Sequence, residues 1–183
     1  YWYPQPAVAV GAVPPLAHFT LLAAEVPEMA LVASGDEDEA LEEQVGRQVW
    51  HSPYPIPNMV LVGGRHGVHK ETHNGIEIAV HLTLSNDEQA EGLLEAAKKN
   101  LDRYVPLLGP YPARQYTIVE NFFSSGFAFP CFTLLSSAVI EMGERGWGRH
   151  GYLDHEFLHS WWGTGIHVDP RDARRLYVIG ETF

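Results

Sequence analysis

The chain of 183 residues contains a single cysteine, Cys131, and few basic residues. One cysteine cannot form an internal disulfide, so the sequence excludes a scaffold stapled by disulfides. The 12 Lys and Arg residues stand against 23 Asp and Glu, which gives a formal charge of −11 with histidine neutral. Such a surplus of acid repels the phosphates of nucleic acids, and we therefore exclude nucleic acid as a partner.

Long apolar runs are absent as well. The longest run in the second half of the chain, 131–140, includes two serines and is far shorter than the roughly 20 residues that cross a bilayer. The first stretch, 1–24, is interrupted by prolines and lacks a basic start, so it is typical of neither a signal peptide nor a membrane anchor. The sequence therefore predicts no membrane segment.

The residues that are present are typical of a folded protein, with 45 % hydrophobic and 19 % charged. The first third contains short aliphatic segments bounded by Pro, Gly and acidic clusters, which predict strands at 19–22, 30–33 and 59–62. We expect the acidic run 36–39 to be a solvated turn between strands, because like charges repel. A change of composition at Gly63 and Gly64 predicts a domain boundary near residue 65.

The second part of the chain mixes strands with one long helix. Alternating apolar residues predict a strand over Ile76–Leu82, and apolar residues at helical spacing predict a helix over 86–108 that Gly109 ends. Two apolar segments, 115–123 and 132–140, predict further strands. Three histidines before these elements are expected to be surface or interdomain polar residues in a loop, rather than metal ligands: His66, His69 and His73.

The segment 155–159 reads HEFLH, the pattern H-E-x-x-H. On a helix, residues four apart are rotated by about 400°, so His155 and His159 leave the same face one turn apart and can bind one metal ion. Glu156 is placed to act as the general base that activates a metal-bound water for attack on a carbonyl. The same five letters also fit a buried amphipathic helix whose histidines only hydrogen-bond to the backbone. We expect Trp161 and Trp162 to pack the helix into the core on the face away from the metal.

The residues around this motif resemble a known family. Residues 155–164 read HEFLHSWWGT, which is similar to the HExxHxWWG signature of the aminopeptidase N family of zinc metallopeptidases, the gluzincins. Weaker matches follow one another along most of the chain, at 2–5, 19–21, 26–28, 32–35, 54–58 and 104–112. The resemblance implies an α+β fold in which residues 1–65 are the C-terminal part of an N-terminal β-sandwich or saddle domain. Residues 66–183 are then the N-terminal lobe of a thermolysin-like zinc peptidase domain, a mixed sheet plus the HExxH helix.

The resemblance implies zinc as the cofactor, bound by His155, His159 and a glutamate further along the chain. The position of the family's glutamate falls on Val178, which cannot bind a metal, and the nearest glutamate is Glu181. We therefore expect Glu181 to be the third ligand. Two other residues are alternatives for this position: His167 and Asp169.

Substrate binding is the second property that the resemblance implies. Exopeptidases of the family carry a GAMEN strand whose glutamate binds the free amino group of the substrate, and here the corresponding stretch, 126–130, reads GFAFP. Gly126, Phe127 and Ala128 are thus expected to bind substrate without that glutamate. Glu120 is a weaker replacement and is expected to be an edge or salt-bridge residue. Family members continue with an oxyanion-stabilising tyrosine and a helical lobe, so we expect this chain to be part of a longer protein.

Together these inferences predict a zinc-dependent metallopeptidase that hydrolyses peptide bonds through a metal-activated water. It is aminopeptidase-like, with an altered GAMEN strand, and its partner is a peptide substrate. The alternative is a catalytically inactive peptidase-like domain that binds a peptide or a protein partner. A structural zinc site is disfavoured, because such sites usually have four Cys or His ligands.

Overall fold

The computed structural model describes residues 16–148 and 151–164 with their side chains, and the backbone of 166–169 and 172–178. Strands and helices mix there in the α+β manner that the sequence predicts. Among the helices of these residues, none is both long and apolar enough to cross a bilayer.

The first half of the described chain is mainly strand. Its elements are β1 (Thr20–Ala23), β2 (Ala30–Ala33), β3 (Asp36–Glu37), α1 (Glu39–Val45), β4 (Gln48–His51), β5 (Leu61–Gly64), β6 (Gly67–His73) and β7 (Ile76–Leu82). After a 3-10 turn at Asp87–Gln89, the second half contains α2 (Ala90–Leu108), β8 (Gln115–Asn121), β9 (Phe127–Phe129), β10 (Phe132–Ser136), α3 (Ser137–Glu141), α4 (Glu144–Trp147), α5 (Tyr152–Leu158), β11 (Ile166–Asp169) and β12 (Asp172–Val178). The described strands form four sheets, in the orders β1-β4-β3, β2-β5, β6-β7-β8-β10-β9 and β11-β12.

The five-stranded sheet is the scaffold of the second half. Strands β7, β8 and β10 are parallel, while β6 and β9 run antiparallel at its two edges. Helix α2 crosses from β7 to β8, because two parallel neighbours need a long crossover connection. Gly109 ends this helix with a φ of 96° and donates its N–H to the carbonyl of Val105 at 3.0 Å. The predictions of a strand over Ile76–Leu82 and of a helix ending at Gly109 are confirmed.

Both faces of this sheet are covered by apolar contacts. On one face, Ile78 and Val80 of β7 pack against α2 and α5 in the largest apolar cluster. On the other face, Val119 of β8 and Phe132 of β10 pack against Val32 of β2. Complete burial of an apolar side chain of this size stabilises the fold by about 2 kcal/mol, so the sheet is held rigidly between its two neighbours.

The acidic run 36–39 is not the solvated turn that the sequence predicts. Asp36 is buried on β3, and its Oδ1 accepts hydrogen bonds from the backbone N–H groups of Arg114 at 2.8 Å and Gln115 at 3.1 Å. Asp38 caps the N-terminus of α1 with its side chain. Backbone N–H donors nearly 80 residues away in the sequence provide the hydrogen bonds that the buried carboxylate needs. A local charge pattern contains no information on such distant donors.

The apolar segment 132–140 is a strand only as far as Ser136. The hydroxyl of Ser136 accepts a hydrogen bond from the N–H of Val139 at 3.3 Å and so starts α3. The prediction of one long strand is therefore wrong beyond this residue. Strand β9 lies within the stretch 126–130 that the resemblance equates with the GAMEN strand, and its three residues pair with β10.

The histidine-rich segment forms strand β6 rather than a loop. His69 contacts Asp87 at 2.8 Å and His73 contacts Asp102 at 2.7 Å. Both histidines are thus partly exposed polar residues, as predicted, although on a strand. The domain boundary near residue 65 falls between β5 and β6 and stays a prediction.

Candidate metal centre

The candidate metal centre is built on α5 and on the turn that follows it. Helix α5 is amphipathic: Leu153 and Phe157 are buried in the main cluster, while His155 is exposed. His159 is the C-terminal cap and keeps right-handed helical geometry, with φ of −61° and ψ of −18°. The two histidines therefore stay one turn apart on one side of the helix.

The two imidazole rings converge on each other. Nε2 of His155 lies 3.2 Å from Nε2 of His159, and the rings are close to perpendicular, at 89°, with centroids 4.8 Å apart. Two nitrogen ligands in a tetrahedral zinc site, at Zn–N distances of about 2.0–2.1 Å, stand about 3.3 Å apart. The spacing of these two nitrogens thus fits a zinc ion without rearrangement.

The orientation of the His159 ring is set by the backbone that follows it. Nδ1 of His159 lies 2.9 Å from the carbonyl oxygen of Trp162. A carbonyl only accepts, so the proton of this bond is on Nδ1 and the lone pair of the ring is on Nε2, which faces His155. Histidines that bind metals are commonly held in this way. His159 does bond to the backbone, as the alternative interpretation of the motif expects, but through Nδ1 alone.

The two tryptophans after the motif have different roles. Trp161 is buried, donates from Nε1 to the carbonyl of Pro110 at 3.2 Å, and contacts the rings of Tyr111 and Phe157. Trp162 is about half exposed, so the prediction that it packs into the core is wrong. Its carbonyl rather than its indole serves the site, because that carbonyl holds His159.

A tyrosine from the first part of the chain reaches the same turn. Thr164 donates its hydroxyl to the carbonyls of His159 at 2.7 Å and Ser160 at 3.2 Å. Tyr54 is buried and donates its own hydroxyl to Thr164 Oγ1 at 3.1 Å. No local sequence pattern points to Tyr54 as a residue of this site, because 110 residues separate it from Thr164.

The other end of α5 is held by α2. Asp154 is buried and accepts hydrogen bonds from the hydroxyl of Tyr104, at 2.9 Å to each carboxylate oxygen, while Arg103 approaches at 3.4 Å. Asp154 is adjacent to His155 in the chain, so α2 restrains the start of the motif as Thr164 restrains its end. This contact also has no local sequence signal.

Glu156 lies between the histidines in sequence but points to a different neighbour. It is buried against Gly126, where a Cβ atom built on that glycine would stand 2.7 Å from Oε1 of Glu156. Burial raises the pKa of Glu156, while the adjacent His155 and His159 act in the opposite direction. A basic carboxylate beside two converging imidazoles is the arrangement that proton transfer from a water molecule needs.

Strand β9 forms the sheet edge next to this carboxylate. Thr133 of β10 pairs with Ala128, and β9 has no second neighbour in the described sheet. Since side chains alternate along a strand, Ala128 is on the side of Gly126 and α5, and Phe127 is on the opposite side. Of the three residues predicted to bind substrate, Gly126 lies against Glu156 and Ala128 is on the same side of the sheet edge, while Phe127 is on the opposite side.

Glu120 is not the edge or salt-bridge residue that the sequence predicts. It lies on the central strand β8, is buried, and has no ion pair among the described residues. Its carboxylate accepts hydrogen bonds from the N–H and hydroxyl of Thr83, at 2.8 Å each, and from the amide of Asn86 at 2.7 Å. These bonds occupy the carboxylate, so Glu120 does not replace the glutamate of the GAMEN strand.

The residues predicted as the third zinc ligand lie outside the part of the chain that the structure describes with side chains. Glu181 lies beyond the described residues. The two alternatives, His167 and Asp169, are on β11, of which the structure describes the backbone only. Among the described residues, no group of three or more His, Cys, Asp or Glu could hold a metal ion, and the candidate site there comprises the imidazoles of His155 and His159 and the carboxylate of Glu156.

No protein-family model matches this chain, and no curated protein matches it either. A functional assignment therefore depends on the motif, its geometry and the chemistry that the residues can perform.

Proposed function

We propose that this chain is the metal-binding part of a zinc-dependent peptidase related to the aminopeptidase N family, with residues 66–183 in a thermolysin-like lobe. The observation that carries the proposal is the convergence of Nε2 of His155 and Nε2 of His159 at 3.2 Å, beside the buried carboxylate of Glu156. A third ligand, for which Glu181 is the candidate, completes the site.

The chemistry divides between the metal and the chain. His155 and His159 would hold the zinc ion, which would supply Lewis acidity to polarise a carbonyl and to make a water molecule more acidic. Glu156 accepts a proton from the attacking water and returns it to the leaving amine.

Strand β9 is the proposed site of the substrate backbone. Its open edge has backbone N–H and C=O groups that an extended peptide can pair with, and Gly126 brings this edge next to Glu156. The stretch 126–130 contains no acidic residue to hold a free amino group, and Glu120 is occupied by Thr83 and Asn86. The proposed substrates are therefore peptides whose amino terminus is not required for binding.

Zinc content and peptide hydrolysis test this proposal together. The wild-type chain is expected to retain about one zinc ion after exhaustive dialysis and to cleave internally quenched, N-acetylated peptides. Glu156→Gln should keep the zinc and lose activity by about 10²-fold or more, since general base catalysis contributes that much. Glu141→Gln, on the exposed part of α3, is the matched control and should change neither property.

A catalytically inactive domain that binds peptide is the second candidate. It is favoured by the stretch 126–130, which lacks the glutamate of the GAMEN strand, and by Val178 at the position of the family's metal-binding glutamate. Zinc content near zero, with peptide binding retained, would select it over a peptidase. Full activity in Glu156→Gln would instead refute the role of this residue while leaving the metal site standing.

A further inference from the structure

Three phenylalanines are exposed within six residues, on the loop and the edge strand that border the candidate site. Phe122 is 86 % exposed, Phe123 is 56 % exposed and Phe127 is 47 % exposed. The next phenylalanines along the chain, Phe129 and Phe132, stack on each other 4.9 Å apart and belong to an apolar cluster. Exposed aromatic rings concentrated at one place indicate a binding surface, whereas isolated exposed apolar residues do not.

The first two rings are presented by a structured turn. Oδ1 of Asn121 accepts a hydrogen bond from the N–H of Phe123 at 2.6 Å, and Ser125 donates its N–H to the carbonyl of Phe123 at 2.8 Å. The rings of Phe122 and Phe123 lie 4.3 Å apart at an angle of 32°, so they form one continuous apolar surface. We call this pair of rings the aromatic platform.

The platform is close along the chain to the glycine that contacts Glu156. Phe123 is three residues before Gly126, so their Cα atoms are at most about 11 Å apart by the reach of the chain. Gly126 in turn packs on the carboxylate of Glu156. A peptide lying along β9 with its scissile bond near Glu156 therefore places one of its side chains within reach of the platform.

We propose that the aromatic platform binds a large apolar side chain of the peptide substrate and so sets the preference of the site. This inference rests on the proposed function, because it needs a peptide along β9. The platform is uncharged in a chain of net charge −11, so it selects side chains by apolar contact and not by charge. Phe or Leu at the selected position should be preferred over Ala or Asp by about 10-fold or more in kcat/KM.

The test compares a set of N-acetylated, internally quenched peptides that differ at one position. The wild-type chain should cleave the Phe and Leu peptides in preference to the Ala and Asp peptides. The double variant Phe122→Ser and Phe123→Ser should retain its zinc and lose this preference. Leu107→Ser, which replaces a leucine that is 72 % exposed at the end of α2, is the matched control and should keep it.

Binding experiments separate a failure of this inference from a failure of the proposed function. Fluorescence anisotropy of labelled peptides with the Glu156→Gln protein measures the same preference without hydrolysis. The platform is supported if the Phe peptide binds more tightly than the Ala and Asp peptides and if the double substitution removes this difference. This holds even if the wild-type chain cleaves none of the peptides. The inference would be overturned if the four peptides bind equally well, if the double variant keeps the same preference for the Phe peptide, or if no peptide binds.

Discussion

Gly126 packs so closely on Glu156 that a Cβ atom at position 126 would stand 2.7 Å from Oε1 and 3.0 Å from Cδ of the glutamate. The two residues are 30 positions apart in the sequence, so only the fold brings them together. The contact joins the edge of the five-stranded sheet to the helix of the H-E-x-x-H motif. It therefore makes the position of the carboxylate dependent on the absence of a side chain at residue 126.

Gly126→Ala should lower hydrolysis without removing zinc. The flexible end of Glu156 yields to the added methyl group, so the carboxylate moves away from its place beside the histidines while the fold persists. A small misplacement of a catalytic group costs about 10²-fold, and we expect a fall in kcat/KM of that order. Steady-state kinetics and elemental analysis measure the two properties. The control is Ser124→Ala, at an exposed position in the same loop, which should leave kcat/KM and zinc content unchanged. A fully active Gly126→Ala protein would show that Glu156 tolerates displacement.

Tyr54→Phe should weaken zinc binding by about 3- to 10-fold, because it removes the hydroxyl that orders Thr164 and, through it, the backbone of His159. The unfolding free energy should fall by only about 1 kcal/mol, the usual contribution of one hydrogen bond. Competition with a chromophoric chelator measures the affinity. Tyr152→Phe, an exposed tyrosine on α5, is the control. An unchanged zinc affinity with reduced stability would assign Tyr54 a purely structural role.

His81 should make the protein less stable as the pH falls. Burial lowers the pKa of His81 to about 4, and the positive charges of His66 and Lys70 act in the same direction. The unfolded chain, with an ordinary histidine pKa near 6.5, then binds a proton that the folded chain does not, so unfolding becomes easier below that value. Between pH 7.5 and 4.5 the loss due to His81 is on the order of 2 kcal/mol.

Urea unfolding at these two pH values measures this loss by comparison with His81→Gln. The variant lacks the titrating ring, so its stability should fall less than that of the wild-type chain over the same interval. The comparison cancels the contributions of other groups, including Asp36 and Glu37, whose pKa values burial raises. Parallel pH profiles for the two proteins would show that His81 is protonated equally in the folded and unfolded states.

Gly92→Ala should destabilise the fold although alanine favours helices. In an exposed helix this change stabilises by about 1 kcal/mol, but here the new methyl group would run into the ring of Trp147. Overpacking of this kind costs about 1–3 kcal/mol, so we expect a lower melting temperature. Glu91→Ala, at the exposed neighbouring position, should be close to neutral. Stabilisation by Gly92→Ala would mean that the indole moves aside at no cost.

The sequence predicted those elements whose signal is local. The alternation over Ile76–Leu82 and the apolar spacing of the long helix are confirmed, because a buried strand and an amphipathic helix each leave a periodic pattern in the chain. Two of the predictions that failed, those for Asp36 and Glu120, concern long-range partners. The buried Asp36 accepts hydrogen bonds from Arg114 and Gln115, and the buried Glu120 accepts hydrogen bonds from Thr83 and Asn86.

In the candidate site, too, local features follow from the sequence and long-range contacts follow from the fold. By itself, the sequence determined that two imidazoles four residues apart share one side of a helix, since 3.6 residues per turn makes this a local property. Only the tertiary structure decided what surrounds them: Gly126 on Glu156, Tyr54 behind Thr164, and Tyr104 on Asp154. Each of these contacts joins segments that are far apart in the chain, and packing of the sheet against its helices brings them together. The residue types that perform the chemistry are thus readable from the chain, while their orientation is a product of the fold.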